Sequence, residues 1–374
     1  MRSQLMAERV RRDIEVLARG GLDVGTFAAE VDDSLDRAVR SCAVCVATLD
    51  PETGLVTGGC KFGDLADRHE HDHEWGLIEY GHAESTSLAE LARADVPAAA
   101  VHLATHGDVQ RSSRLRDFIK PRFGYTDELR LVARVGNRTW GAVAFFREEP
   151  FGAEDVAFVA SLSALLAAGL RAGILARLAT APPPTAAKGP AVIIVDAHNQ
   201  ISQISAGAQA RLDELVIPTQ TVTPRAIIGA LVAGARRYAA GLTDALPRNR
   251  VRLPSGQWLV LHASPLSNTD GATGNVVITI EDARPPEIVP LLVAAFALSP
   301  RERDVVQLVL QGVDTKQIST ALHVSTYTVQ DHLKSVFEKA GVSNRRELVN
   351  RVFFGHYAPR LDAQLAPSGW FLDD

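Results

Sequence analysis

The sequence predicts a multidomain chain: two α+β domains followed by an all-α four-helix domain. Three observations carry this. The chain has 374 residues, more than one domain of roughly 100–200 residues accommodates. Three consecutive prolines in Ala181-Pro-Pro-Pro-Thr-Ala-Ala-Lys-Gly-Pro190 remove backbone donors and favour an extended, semi-rigid linker. From Leu298 onward, short apolar runs give way to closely spaced helix caps. A hydrophobic fraction of 46% with 22% charged residues excludes wholesale disorder and fibrous repeats.

Upstream of the linker, residues 1–180 read as one α+β domain. Helices are expected at about 4–19, 25–40 and 86–93, and buried strands at Ala43–Leu49, Leu129–Arg134 and Trp140–Phe146. Gly54 and Gly58–Gly59 stand where hairpin turns belong. Asp155–Leu178 lacks proline and is apolar on more than one face, so it is expected to pack on a sheet or on a copy of itself. Beyond the linker (181–190), residues 191–286 read as a second α+β unit. Its strands are expected at Ala191–Val195, Arg250–Leu253, Trp258–Leu261 and Asn275–Glu281, with a helix over Ala206–Leu215. The turn clusters Asp196-Ala-His-Asn199, Pro254-Ser-Gly256 and Asp270-Gly271 separate them. Residues 287–297 form a connector to the helical domain.

The cysteines Cys42, Cys45 and Cys60 are too few for a disulfide framework. Met1–Arg12 lacks the apolar core of a secretory leader, and no run of about 18 apolar residues is present. A cytoplasmic protein with no membrane partner is expected. The net charge of −5 looks wrong for a nucleic-acid partner. Residues 298–357, however, hold 8 basic and 6 acidic side chains, a local balance of +2.

Residues 298–357 carry the function; 358–374 form a tail. Ser299-Pro300-Arg301-Glu302 combines an N-cap serine, a proline at the first helical position and a glutamate three residues after the cap. That helix runs to about Gln311 and stops at Gly312. Asp314 or Thr315 caps a short second helix with Ile318, Ala321 and Leu322 on one face, and His323-Val324 makes a tight turn. Ser325 caps a third helix, Thr326–Lys339, stopped at Gly341. A fourth starts at Ser343 or Asn344 and reaches about Phe353. At 100° per residue, Val329, Leu333, Val336, Phe337 and Ala340 share one face of the third helix. Tyr327, Asp331, Lys334 and Glu338 lie opposite, with Gln330 at the border. Two short helices, a tight turn and a longer amphipathic helix make a helix-turn-helix, whose second helix enters the major groove.

These residues resemble the LuxR-type helix-turn-helix. The resemblance rests on Leu298-Ser-Pro-Arg-Glu-Arg303, Gly312-x-x-x-Lys316-Gln-Ile318, Leu322-x-Val-Ser-x-x-Thr328-Val329-x-x-His332-Leu333, Lys339-x-Gly341-Val342 and Arg345. It implies a four-helix domain whose third helix reads bases in double-stranded DNA, and whose fourth often makes the contact of a homodimer. Carried over by position, Gln330, Asp331 and Lys334 are the base-contacting candidates. Amide, carboxylate and ammonium suit adenine, the cytosine amine and guanine O6/N7 respectively. Lys316, Ser325, Thr326, Thr328 and Lys339 are placed to hold phosphates. The family often has a small neutral residue where Asp331 stands. Further upstream, Arg111-Ser-Ser-Arg114-Leu-Arg116, Pro121-x-x-Gly124-x-x-Asp127-Glu-Leu-Arg130, Trp140-Gly141 and Phe151 resemble the GAF-like sensor half of actinobacterial LuxR-type regulators. The middle unit is loosely similar to a PAS domain, through its Val195-Asp196 start and three-strand end. Both resemblances imply sensing of a small-molecule or protein signal, without naming it.

Other constellations point to no chemistry. Cys42 and Cys45 have C-x-x-C spacing, but an offset of three on a strand sends them to opposite faces; buried small hydrophobes are expected. Cys60 precedes Lys61 and is a candidate reactive thiol. His69-Glu-His71-Asp-His73-Glu74 would align three imidazoles on a strand, with Cys60 or His82 completing a zinc set. On a helix or loop the imidazoles would diverge, and no metal is expected. His262 and Ser264 lack an acid partner. Trp75, Trp140 and Trp258 are expected in the core. No phosphate loop, dinucleotide fingerprint, zinc-protease motif or nucleophile elbow occurs, so no catalytic residue and no cofactor are expected. The alternatives are a GAF-type thiol enzyme using Cys60 or Cys45, and an adaptor whose helix-turn-helix does not bind DNA.

Overall fold

A computed structural model describes residues 2–176, 190–217, 219–267 and 273–354. The expected linker prolines and the C-terminal tail lie outside them, as does the Asp270-Gly271 turn. The chain divides into two compact units, Met1–Asp282 and Ala283–Asp374.

The first unit contains two five-stranded antiparallel sheets. Helices α1 (Arg2–Arg19) and α2 (Val24–Leu35) precede β1 (Ala43–Leu49) and β2 (Val56–Gly63). Helices α3 (Asp72–Gly81) and α4 (Leu88–Arg93) come next, then β3 (Ala98–Ala100) and the single turns α5 (Val101–Ala104) and α6 (Lys120–Phe123). Strands β4 (Asp127–Val135) and β5 (Arg138–Arg147) complete a sheet of order β2-β1-β5-β4-β3. Helices α7 (Ala153–Ser161) and α8 (Ser163–Leu175) close this half. The single helix expected over Asp155–Leu178 is therefore two, bent by 46°. The break lies at Leu162, whose N–H reaches back to the carbonyl of Val159. Among the described residues no single helix is long and apolar enough to cross a membrane. Helix α8 packs on β4 and β5 instead, as its apolar faces require.

The second sheet comprises β6 (Val192–Val195), β7 (Ile201–Ile204), β8 (Arg248–Arg252), β9 (Trp258–Ser267) and β10 (Thr273–Asp282). Its order, β7-β6-β10-β9-β8, repeats that of the first sheet five strands on. Helix α9 (Ala206–Glu214) lies just after β7, and α10 (Pro224–Ala239) lies between the two sheets, packed on α3 and on β9. Strand alternation places Cys45, Ala47, Ala142 and Ala144 on the face of the first sheet toward α3 and α10, and Val44, Val46, Val143 and Phe145 on the other.

Glycine pairs make the close approaches possible. Gly58 and Gly59 lie inside β2 rather than in a turn, whereas Gly54 does turn the chain, at φ 71°. The reason is the segment 219–222, which runs along β2. Thr221 and Val222 N–H donate to the Gly59 carbonyl at 2.9 and 3.0 Å, and a Cβ on Gly58 would meet the Gln220 amide.

The second unit is helical: α11 (Pro285–Ala295), α12 (Pro300–Leu310), α13 (Thr315–Leu322), α14 (Thr326–Ala340) and α15 (Arg345–Val349), then a wide turn over Asn350–Phe354. The chain is thus multidomain, with two antiparallel α+β parts and a helical C-terminal region.

Candidate nucleic-acid interface

Each helix of the second unit from α12 onward begins where its cap dictates. The Ser299 side chain accepts from Glu302 N–H, and the Glu302 carboxylate from Ser299 N–H. Asp314 and Gln317 form the same reciprocal pair on α13, so the cap is Asp314 rather than Thr315. Asn344 caps α15. The stops are left-handed: Gly312 at φ 82°, Gly341 at φ 61° and His323 at φ 54°. A non-glycine residue in that region marks a tight turn, here the one between α13 and α14.

Val329, Leu333, Val336 and Ala340 of α14 are buried against Val305, Val306 and Val309 of α12 and Ile318 of α13. Phe337, expected in this core, is only half-buried. The opposite face is open: Gln330, Asp331 and Lys334 are exposed, and Tyr327 is 71% exposed. The three base-contacting candidates therefore lie side by side on one outward surface of a 15-residue helix.

The phosphate candidates divide. Lys316, on the first turn of α13, is exposed. Ser325 Oγ accepts from Thr328 N–H at 3.0 Å and lies 2.8 Å from the Thr328 hydroxyl. With Thr326 exposed beside them, the N-terminus of α14 presents hydroxyls and the positive end of the helix dipole, a suitable seat for an anion. Lys339 is exposed too, but its ammonium is engaged, donating to both Glu302 oxygens at 2.7 and 2.6 Å.

Glu302 also accepts from Ser335 at 2.6 Å, so one carboxylate caps α12 and ties it to α14. The cap is legible in the sequence; the tie, spanning 37 positions, is not. Burial pushes this carboxyl up, but Lys339, Ser335 and the Ser299 N–H outweigh it and hold it down at about 2, from the usual 4.5. A carboxyl lowered by folding stabilises the fold above its unfolded value, and this contribution fades as pH falls from about 4.5 toward 2. Glu302→Gln is expected to cost roughly 2 kcal/mol at pH 7. By hydrogen exchange, α12 and α14 amides should then open about 30-fold more readily, and the pH 2–4.5 loss should shrink. Unchanged exchange would show that the tie contributes nothing.

The remaining candidates do not converge. His71 sits in a turn and its ring packs edge-on to Phe118 and Phe123. His73 Nε2 lies 2.7 Å from the Asn199 carbonyl, and Asp72 is ion-paired to Lys61 at 2.8 Å. No group of three His, Cys, Asp or Glu able to hold a metal occurs among the described residues. Cys42 is exposed rather than buried, because β1 begins one residue later. Burial pushes the Cys45 and Cys60 thiols up to about 12, the opposite of an activated thiolate. Trp140 and Trp258 are core residues, whereas Trp75 is half-buried and lines a cavity.

Residues 297–352 match the family described as bacterial regulatory proteins, luxR family. The C-terminal domain is a LuxR-family helix-turn-helix. The LuxR-family domain is shared with proteins described as transcriptional regulators. An HTH-type transcriptional regulator of Mycobacterium bovis is 48% identical over 54 residues, 14% of this chain and 6% of that protein. The transcriptional regulatory protein UhpA of Salmonella typhimurium is 38% identical over 86 residues, 22% of this chain and 41% of its own. The chain thus spans less than half the length of these relatives. Among solved structures, a phage VqmA–DPO complex is 17% identical, covering 47% of this chain and 87% of that one, at a TM-score of 0.24. A likeness that low carries no argument.

Proposed function

We propose that the whole chain is a homodimeric, sequence-specific DNA-binding regulator whose LuxR-family domain is gated by a signal received in residues 1–286. The observation that carries the DNA-binding part is the open face of α14, with Gln330, Asp331 and Lys334 outward and the valine-rich face buried. In this reading Gln330 pairs with adenine, Asp331 accepts from a cytosine amine and Lys334 donates to guanine. Lys316, Ser325, Thr326 and Thr328 fix register on phosphates. Lys339 retains one ammonium hydrogen for a phosphate beyond its pair with Glu302. Two copies would place their reading helices about 34 Å apart, one DNA turn.

The sensing part takes residues 1–180 as a GAF-like and 191–286 as a PAS-like domain, in a cytoplasmic protein. The repeated strand order of the two sheets supports reading them as related modules. A cavity between them supplies a place for a signal. Its free volume is about 80 Å³, and it is partly open to solvent. Most of its wall comes from β1, β4, β5 and α3, but Val222 and Ala226, beside and on α10, close it from the second half. A molecule that fits one packing of these halves better than another would shift their balance, which gating requires.

Fluorescence anisotropy with a bound operator tests the DNA-binding reading. Lys316→Ala should weaken binding to every sequence alike and reduce the magnitude of the slope of log affinity against log salt by about one per protomer. A chain that binds no DNA at low salt would be the adaptor instead.

A further inference from the structure

The cavity beside α10 is apolar except at one end. Alanines of β1 and β5 wall it, and Trp75 and Tyr80 of α3 contribute aromatic rings. At the polar end sit Glu79, Glu128 and Arg130, each less than a tenth exposed. Arg130 donates to Glu79 at 2.6 Å and to the Thr86 carbonyl at 2.7 Å. Arg114 behind it donates to Glu128 at 2.9 Å, Glu84 at 2.5 Å and the Thr86 hydroxyl at 3.0 Å. Two guanidinium groups thus share three carboxylates, an excess of one negative charge. Lys61 does not offset it, being matched to Asp72 at 2.8 Å.

Within this cluster Glu128 is 1% exposed, and its Oε1 accepts no hydrogen bond. Arg130 Nε, which also lacks a hydrogen bond, is ion-paired with that oxygen at 3.3 Å but lies outside hydrogen-bonding geometry. A buried carboxylate oxygen without a donor is costly until one arrives. The excess charge disfavours an anion, and aromatic faces attract cations.

We propose that this cavity binds a small organic cation: an amine with an apolar or aromatic body. Its ammonium donates to Glu128 Oε1, and its body lies against Trp75 and Tyr80. The proposal rests on reading residues 1–286 as the signal-receiving part, and specifies the chemistry of the signal.

Calorimetric titration of the full chain at pH 7 with 2-phenylethylamine, 2-phenylethanol and phenylacetate tests it, since the three probes differ mainly at the head group. The amine should bind at least tenfold more tightly than the alcohol, and phenylacetate should give no heat. Glu128→Gln keeps the shape and removes the charge, so the amine's advantage should fall below threefold. Should that variant not fold, Ala142→Leu fills the cavity while leaving the charges intact, and should abolish amine binding. Equal or tighter binding of the alcohol or phenylacetate overturns the proposal. So does amine binding that survives Ala142→Leu, or no amine binding at all. Anisotropy with DNA on the same samples keeps the two readings apart: loss of DNA binding with amine selectivity intact sinks the regulator and spares the site.

Discussion

Asp50→Ala is expected to lower the melting temperature of the first unit by on the order of 10 °C. Asp50 adjoins the end of β1 and is fully buried, and the Arg250 guanidinium on β8 grips it with two bonds, Nε to Oδ2 at 2.7 Å and Nη2 to Oδ1 at 2.5 Å. This pair joins the two sheets, 200 positions apart in sequence. Removing one member of a buried ion pair leaves the other desolvated and typically costs about 3–5 kcal/mol. Glu52 also reaches Arg250, at 2.9 Å, but is 57% exposed, so it offsets only part of the loss. For a unit this large each kcal/mol corresponds to about 2–4 °C. Scanning calorimetry reads the shift; a change below about 2 °C would show that the sheets are held together mainly by apolar packing around α10.

Gly229→Ala should also be damaging, although it adds only one methyl group. Gly229 of α10 crosses Gly76 of α3 with backbone against backbone. A Cβ on Gly229 would overlap the His73 carbonyl oxygen, and one on Gly76 would overlap that of Ala226. In an exposed helix interior the same change would gain up to about 1 kcal/mol of propensity. Here the helices must separate, a cost of about 1–3 kcal/mol for overpacking, or more where backbone must move. The net expectation is a loss of about 2 kcal/mol, measured by urea unfolding at 25 °C. A variant as stable as the parent would mean that the crossing adjusts freely.

Which features the sequence reveals depends on the range of the interactions that set them. The helix-turn-helix is legible because its determinants are local: Ser299, Asp314, Ser325 and Asn344 cap, Gly312 and Gly341 stop, and Val329 to Val336 keep the helical period. The outward face of α14 comes from the same arithmetic. Helix α10 starts at a cap-and-proline pair, Thr223-Pro224, as α12 does, but Gly229 and Gly234 interrupt its propensity, and the close packing on α3 that needs Gly229 is not visible locally. Gly58 and Gly59 have the look of turn residues, although a strand needs glycine where another segment lies on it. The Arg114 and Arg130 motif is visible as a pattern, but its carboxylate partners Glu79 and Glu84 lie about 30–50 positions upstream. Nothing local in the chain shows the pairing.

The regulator reading stands or falls on whether the exposed residues of α14 choose the bases. Selection of bound fragments from random double-stranded DNA, run side by side on the parent chain, Gln330→Ala and Lys334→Ala, measures this directly. The parent should enrich a two-fold symmetric motif. Each variant should enrich the same motif with preference lost at one base per half-site, a discrimination of roughly 1–3 kcal/mol. If the parent enriches no motif, or both variants keep every base preference and lose affinity uniformly, the α14 face does not read sequence.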